Sequence, residues 1–381
     1  MSAEKRRVLL MGAYGQDNLG DEAILEVHLQ QLKGYDVTVV STNPDQTSAR
    51  YGVPSVQTYG GDRSRTLKAF WGSDVLVYGG GSLLKELKPP YFRYRLVTNL
   101  SAATLAAKTC GKGVAFSAMG VERLSTRTSR FLARRAANMS DLFLVRDEGS
   151  RRKLTEVGAR KEAHVTADPA YLLEADRAAE ARVEALLAPY MGKPVIVVNP
   201  ICSSEVACPR EQVTASFAAL VNRIHETTSA QVLLLPFKTA GEDNDVELLH
   251  GLLAAVARKD RVSLAPLDLR PAEVAALLAR VELFVGMRHH GVLIALAART
   301  PVLAVPYAEK TEHLVDDFGL RAHALSAHLL TPEALSTAFD KAYPARAALR
   351  AGAEAPLAAM VALARENFSR LRQFIDARGS A

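Results

Sequence analysis

Cysteine is scarce: Cys110, Cys202 and Cys208 are the only three in 381 residues, too few for a disulfide framework. Five residues separate Cys202 from Cys208 with no His or Cys cluster beside them, so no zinc site is expected, and the usage suits the reducing cytosol. Long apolar runs are lacking too. None reaches 18 residues, so no membrane span is expected. The opening, charged from Glu4 to Arg7 with an apolar run only from Val8 to Met11, does not read as a signal peptide. Charge of one sign is not in large excess: 47 Lys and Arg against 41 Asp and Glu leave a net +6. That fits an anionic substrate or an anionic membrane surface, with no nucleic-acid partner expected. Internal repeats and low-complexity segments are absent. So are the dinucleotide fingerprint and the lysine of a Walker loop.

What the chain does have is alternation. Short apolar runs at Val8–Met11, Val37–Val40, Asp74–Tyr78, Gly113–Ala118, Asp141–Val145 and His164–Ala167 are separated by helical patterns. They resume at Pro194–Asn199, Gln231–Phe237, Val262–Ala265, Leu283–Val285 and Pro301–Val305. Unbroken apolar strands covered by helices on both faces build parallel sheets. The expected fold is α/β, two Rossmann-like doubly wound domains facing a cleft. The polar, Ala-rich stretch Glu174–Lys193 sets the boundary: residues 1–178, residues 179–345, and a helical tail, 346–381, able to pack back on the first domain. Ligands of such sheets sit at the carboxyl ends of the strands.

Chemistry-bearing residues stand at those ends. After the first strand comes Gly12-Ala13-Tyr14-Gly15-Gln16-Asp17-Asn18-Leu19-Gly20-Asp21-Glu22. Its glycines permit tight turns and close approach of a ligand. Asp21 suits an N-cap and Asn18 a hydrogen bond within the loop. A carboxylate where a phosphate loop has lysine suits sugar hydroxyls better than phosphate; a plain capped turn is the alternative. Gly79-Gly80-Gly81-Ser82 leaves backbone N–H groups open to a ligand or forms a simple turn. Arg146 ends a strand, with a forked guanidinium for a carboxylate or phosphate, or for a salt bridge to Asp147 or Glu148. Asp168 serves as a base or caps its turn. In the second half, Arg288, His289 and His290 open a helix at a strand end, where the dipole favours an anion. Lys310 is a further phosphate candidate.

Taken together, the runs Gly15–Leu25, Gly79–Leu83, Val145–Ser150, Ala167–Ala170, Gly286–His290 and Tyr307–Lys310 are collinear. They resemble the polysaccharide pyruvyl transferase family, in particular its CsaB-type members, over roughly residues 8 to 320. The resemblance implies a GT-B-like fold, with the acceptor sugar on the first domain and phosphoenolpyruvate on the second. It implies donor-binding arginines at Arg146 and Arg288, with Lys310 beside them, and a catalytic histidine at His290 rather than His289. Asn18, Asp21, Glu22, Gly80 and Gly81 then become acceptor-side residues. Lys85-Glu86 departs from the family's Gln-Asp after the glycine run, and Lys238 departs from the polar, His-bearing segment that follows the family's Pro-Phe, here Pro236-Phe237.

Ketal formation from phosphoenolpyruvate needs positive groups for two anions, a general acid near neutrality and a carboxylate to take hydroxyl protons. Arg146, Arg288 and Lys310 suit the first need, His290 the second, and Asp21, Glu22 or Asp168 the third. No cofactor and no metal are required. The expected acceptor is a hexose or N-acetylhexosamine of a lipid-linked cell-wall precursor, pyruvylated at O4 and O6. The enzyme would be cytoplasmic, at the inner membrane face without crossing it; a homo-oligomer is compatible. The alternatives are a GT-B nucleotide-sugar glycosyltransferase and a non-catalytic glycan- or phosphate-binding protein.

Overall fold

The computed structural model describes residues 5–58, 63–88, 92–190, 192–203, 206, 208–241 and 243–378; the extreme ends of the expected first domain and tail lie outside them. The chain forms two compact units. One comprises Met1–Gln16, Asp21–Leu172 and Met360–Ala381, the other Asp17–Gly20 and Leu173–Ala359.

Among the described residues, the first unit carries seven strands, β1 (Arg7–Met11), β2 (Asp36–Ser41), β3 (Ser55–Gln57), β4 (Val75–Gly79), β5 (Gly113–Met119), β6 (Leu142–Val145) and β7 (His164–Val165). They are ordered β3-β2-β1-β4-β5-β6-β7 and pair in parallel throughout. The second unit has β8 (Val195–Asn199), β9 (Gln231–Leu234), β10 (Val262–Leu264), β11 (Leu283–Gly286) and β12 (Val302–Ala304). Their order is β10-β9-β8-β11-β12, again all parallel. Helices flank both sheets, and every residue of β4, β5 and β8 is buried. This explains their largely apolar sequences. Chain travel reverses between β1 and β4 and again between β8 and β11. These switch points are where open parallel sheets form ligand crevices. The fold is the expected α/β type, with two doubly wound parallel sheets.

Some elements differ from expectation. The edge strand β3 is three half-buried residues, Ser-Val-Gln, with no apolar run to announce it. Strand β9 stops at Leu234 because Phe237 and Lys238 pair elsewhere: Leu19 N donates to Phe237 O at 2.8 Å, and Asn18 and Lys238 form an antiparallel bridge. The tail is a single helix, Arg346–Ala377, with Pro356 inside it. Despite Arg350 and Glu354, which break its apolar run, this helix is long and apolar enough, by length and composition, to cross a membrane. Its last turns pack into the first unit, where Phe368, Leu371 and Ile375 are fully buried and Asn367 Nδ2 donates to Ser117 Oγ at 2.8 Å.

Candidate functional site

In the first unit, the glycines at the β1/β4 switch point make room for a side chain of the protein itself. Tyr14 folds back between the two strand ends, buried, and its hydroxyl donates to Gly79 O at 2.6 Å. A Cβ on Gly12 would collide with the Tyr14 ring, 2.6 Å from its Cε atoms and nearer still to Cζ, and one on Gly79 would strike the Tyr14 hydroxyl. The expectation that Gly12 opens toward a ligand is therefore corrected: it accommodates Tyr14. Gly15, at φ +73°, presses against Ser41 and Asn43, and Thr42 Oγ1 donates to its carbonyl at 2.6 Å.

Asp21 is not the cap of the following helix. The helix begins at Leu19 and carries Asp21 and Glu22 in its first turn, while Asn18 Oδ1 accepts from Gly20 N at 3.1 Å. The hydrogen bond expected of Asn18 is thus the cap itself. Asp21 lies beside the Gly80-Gly81 turn, with Oδ1 3.3 Å from where a Cβ on Gly81 would sit. Both glycines have positive φ, +75° and +71°, which L side chains rarely adopt. Glu22 is directed elsewhere. Its Oε1 accepts from Gly15 N at 2.8 Å and its Oε2 from the Tyr51 hydroxyl at 2.8 Å. Burial raises its pKa against those hydrogen bonds, so Glu22 fastens the loop to its own unit.

Arg146, at the end of β6, is almost wholly enclosed. Its Nη2 donates to Ser82 Oγ at 3.1 Å and its Nε to Asp147 Oδ2 at 3.2 Å. Asp168 lies 3.6 Å from Nη1 and Glu122 3.9 Å from Nη2. Burial works against its charge, but Asp147, Asp168 and Glu122 outweigh it and hold the group protonated. Three carboxylates thus surround one guanidinium, and an incoming dianion would meet net negative charge. The salt-bridge alternative for Arg146 is realised through Asp147 and not through Glu148, which pairs with Arg151. Asp168 caps its turn, Oδ1 accepting from Ala170 N at 3.0 Å. The first unit thus brings Asp21, Gly80, Gly81, Arg146 and Asp168 to the ends of its strands and turns Glu22 away.

In the second unit, Asp17–Gly20 runs beside Phe237–Thr239, with Thr239 N donating to Asp17 O at 3.1 Å. Gly20 forms the seat of His290: a Cβ there would lie 2.5 Å from the His290 Cγ and 2.8 Å from its Cβ, and nearer still to Nδ1. The imidazole fits against this backbone because nothing larger than hydrogen projects from it. The two histidines differ in burial: His289 is buried and His290 half-buried, their rings 5.3 Å apart at 75°.

Arg288 stands at the N-cap position of the helix His289–Ala297, with no side-chain hydrogen bond to the helix. Its guanidinium grips Asp245, Nη2 to Oδ1 at 2.6 Å and Nε to Oδ2 at 3.3 Å, and Nη2 also donates to Asp243 O at 2.9 Å. Asp245 is fully buried and also accepts from Phe237 N and Lys238 N at 2.8 and 3.1 Å. Burial opposes the charge on Arg288; Asp245 and then Tyr307 outweigh it, and the guanidinium stays protonated. Asn199, at the end of β8, accepts from Arg288 N at 3.2 Å and donates to Leu235 O at 2.8 Å. Lys310 is the second residue of the helix Glu309–Asp317.

The sequence did not point to Asp245, Asn199 or Tyr14. Asp245 carried one signal, a carboxylate just ahead of the helix Val246–Ala255. At the two departures from the family pattern, Glu86 accepts from Ser125 N, Thr126 N and Ser129 Oγ at the start of the helix Arg127–Met139, and Lys238, after Pro236-Phe237, donates its backbone N–H to Asp245. Among the described residues, no cluster of three His, Cys, Asp or Glu side chains is arranged to hold a metal ion.

The sequence profile of the polysaccharide pyruvyl transferases matches residues 18–309. No curated protein sequence matches the chain. Solved structures share the fold at low identity. S. aureus MnaA in its UDP co-structure is 14% identical, with 92% of each chain covered and a TM-score of 0.63. The UDP-GlcNAc 2-epimerase from Neisseria meningitidis bound to UDP-GlcNAc is 12% identical over 96% of this chain and 99% of that one, TM-score 0.62. Anabaena HepE with UDP and glucose is 12% identical over 97% and 100%, TM-score 0.60.

Proposed function

The chain belongs to the polysaccharide pyruvyl transferase family, and from that premise we propose that it transfers pyruvate from phosphoenolpyruvate to a sugar of a cell-wall or surface-polysaccharide precursor, forming a cyclic ketal. The observation that carries this reading is the seating of His290 on Gly20 at the helix start where Arg288 holds the N-cap position. It places an imidazole and a guanidinium at a dipole end that favours anions.

The donor has two anionic groups, and the local charge decides which arginine suits them better. Arg288 is paired with one buried carboxylate, Asp245, with Asp243 and Tyr307 contributing less, stands at a helix N-terminus, and shares its unit with Lys310. Arg146 faces three carboxylates. The reading therefore gives the donor's carboxylate and phosphate to Arg288 and Lys310, and leaves Arg146 chiefly to orient Asp168 and Ser82. His290 protonates the methylene carbon. A sugar hydroxyl adds to the neighbouring carbon and loses its proton to a carboxylate. The C–O bond to phosphate breaks with inorganic phosphate leaving, and a second hydroxyl closes the ketal and releases its own proton. Asp21 suits the hydroxyl protons better than Asp168, whose oxygens meet Ala170 N and Arg146, and better than Glu22, which is tied to Gly15 and Tyr51. No step calls for a metal or a cofactor.

The acceptor in this reading is a hexose or N-acetylhexosamine with hydroxyls at O4 and O6 on a lipid-linked intermediate, and the enzyme works in the cytoplasm. The test is incubation with phosphoenolpyruvate and a panel of glycosides. Phosphate release that depends on the glycoside, with a pyruvate ketal recovered, supports the proposal; no release with any of them counts against it.

A further inference from the structure

Residues 63–139 contain fourteen Lys and Arg against three acids, a net +11, whereas the whole chain carries +6. The positive charge of the protein is concentrated in this segment, and the remainder is net negative. The three acids are engaged: Asp74 with Arg7, Glu86 with Ser125, Thr126 and Ser129, and Glu122 with Arg146. Exposed basic side chains include Arg63, Lys68, Arg127, Arg130, Arg134 and Arg135.

The segment also carries apolar side chains that folding leaves outside. Trp71 and Phe92 are each 64% exposed, Leu67 56%, Phe131 49% and Leu105 39%. Sheet order places the helices Arg63–Gly72, Arg95–Thr109 and Arg127–Met139 together. Each joins strands while the chain moves toward β7, so right-handed crossovers put all three on one face of the first sheet. Their inner residues, among them Phe70, Val97, Leu100 and Ala133, share one core cluster. Lys112, in the turn after the helix Arg95–Thr109, reaches the helix Arg63–Gly72, its Nζ donating to Trp71 O at 3.1 Å and lying 5.3 Å from the Phe70 ring centre.

We propose that this helical face docks on the surface of an anionic lipid bilayer. Basic side chains interleaved with exposed Trp, Phe and Leu match a headgroup region, where cations meet anionic lipid and rings sit at the acyl boundary. A nucleic-acid partner would use the charge and leave Leu67, Leu105 and Phe131 exposed to water. A second copy would set one +11 segment against another. The inference is independent of the transferase reading.

Trp71 is the protein's only tryptophan, so its fluorescence reports on this face alone. The full chain is titrated with vesicles of phosphatidylcholine containing phosphatidylglycerol, and separately with phosphatidylcholine alone. The expected result is a blue shift of Trp71 emission with the anionic vesicles only, reversed by added salt. Each basic residue near the surface strengthens binding by roughly fivefold, so Arg127→Ala with Arg134→Ala should weaken vesicle binding by about 25-fold. Leu67→Ser and Leu105→Ser should weaken it with the charge intact; circular dichroism checks that each variant is folded. No shift with anionic vesicles, an equal shift with the neutral ones, or a shift produced by RNA and not by vesicles would overturn the proposal.

Discussion

Replacing Gly20 with alanine tests the seating of His290. In isolation the change should help, since alanine in a helix is favoured over glycine by about 0.5–1 kcal/mol. The surroundings reverse the sign. The added methyl would lie 2.8 Å from the Cβ of His290, where ordinary contact begins at 3.4 Å. The shortfall is 3.4 − 2.8 = 0.6 Å, and because that Cβ is fixed to the backbone, ring rotation cannot relieve it. Either the turn at Leu19 or the start of the helix His289–Ala297 must move. Overpacking of this kind costs about 1–3 kcal/mol, for a net loss of up to about 2.5 kcal/mol. A misplacement approaching 1 Å at a catalytic group costs about a hundredfold in rate. Gly352→Ala is the control, since a Cβ there meets nothing within 4 Å; it should stabilise by up to about 1 kcal/mol and leave turnover unchanged. Thermal melting and phosphate release from phosphoenolpyruvate read both effects. Wild-type turnover together with raised stability in Gly20→Ala would refute the reasoning.

His290→Ala should lower turnover about a hundred- to ten-thousand-fold with the fold intact, whereas His289→Ala, at the more buried ring, should cost stability before rate; steady-state kinetics and melting of the pair separate the two. Asp245→Ala removes the partner of Arg288 and the acceptor for Phe237 N and Lys238 N, and breaking such a buried pair costs about 3–5 kcal/mol, measurable by urea unfolding. Arg288→Ala should weaken phosphoenolpyruvate binding more than Arg146→Ala does, by calorimetry on variants that melt normally; the reverse order would return the donor to Arg146. Burial lowers the pKa of His28 from 6.5 to about 4, so between those pH values the unfolded chain binds the proton that the folded one refuses. Stability should fall by about 3 kcal/mol as pH drops from 6.5 to 4, with no further loss from this group below 4, and His28→Gln should flatten that part of the melting profile.

Much of this architecture was legible because parallel sheets advertise themselves. β1, β4, β5, β8 and β11 are largely apolar, and β1, β4 and β11 run into the glycines and charges at Gly12, Gly80-Gly81 and Arg288. Strand β3 was invisible because an edge strand of three residues needs no apolar run. The ends of β9 and of the first loop were misread for one reason: Asp17–Gly20 pairs with Phe237–Thr239, more than two hundred residues along the chain, and no local pattern records such a partner. The glycines were recognised as necessary, but not for what occupies their space, Tyr14 at Gly12 and His290 at Gly20. Asp245 escaped because a carboxylate before a helix looks like an ordinary cap. The charges of Arg146 and Arg288 could be read from the sequence; the number of carboxylates around each could not.

The central claim is pyruvate transfer, and its most direct measurement is the leaving group. The protein is incubated in parallel with phosphoenolpyruvate and with nucleotide sugars, each with a panel of glycoside acceptors, and the products are resolved by phosphorus NMR and mass spectrometry. The account predicts inorganic phosphate from phosphoenolpyruvate in step with a glycoside bearing a pyruvate ketal, and no nucleoside diphosphate. Nucleoside diphosphate released with a lengthened glycan, and phosphoenolpyruvate left intact, would contradict it.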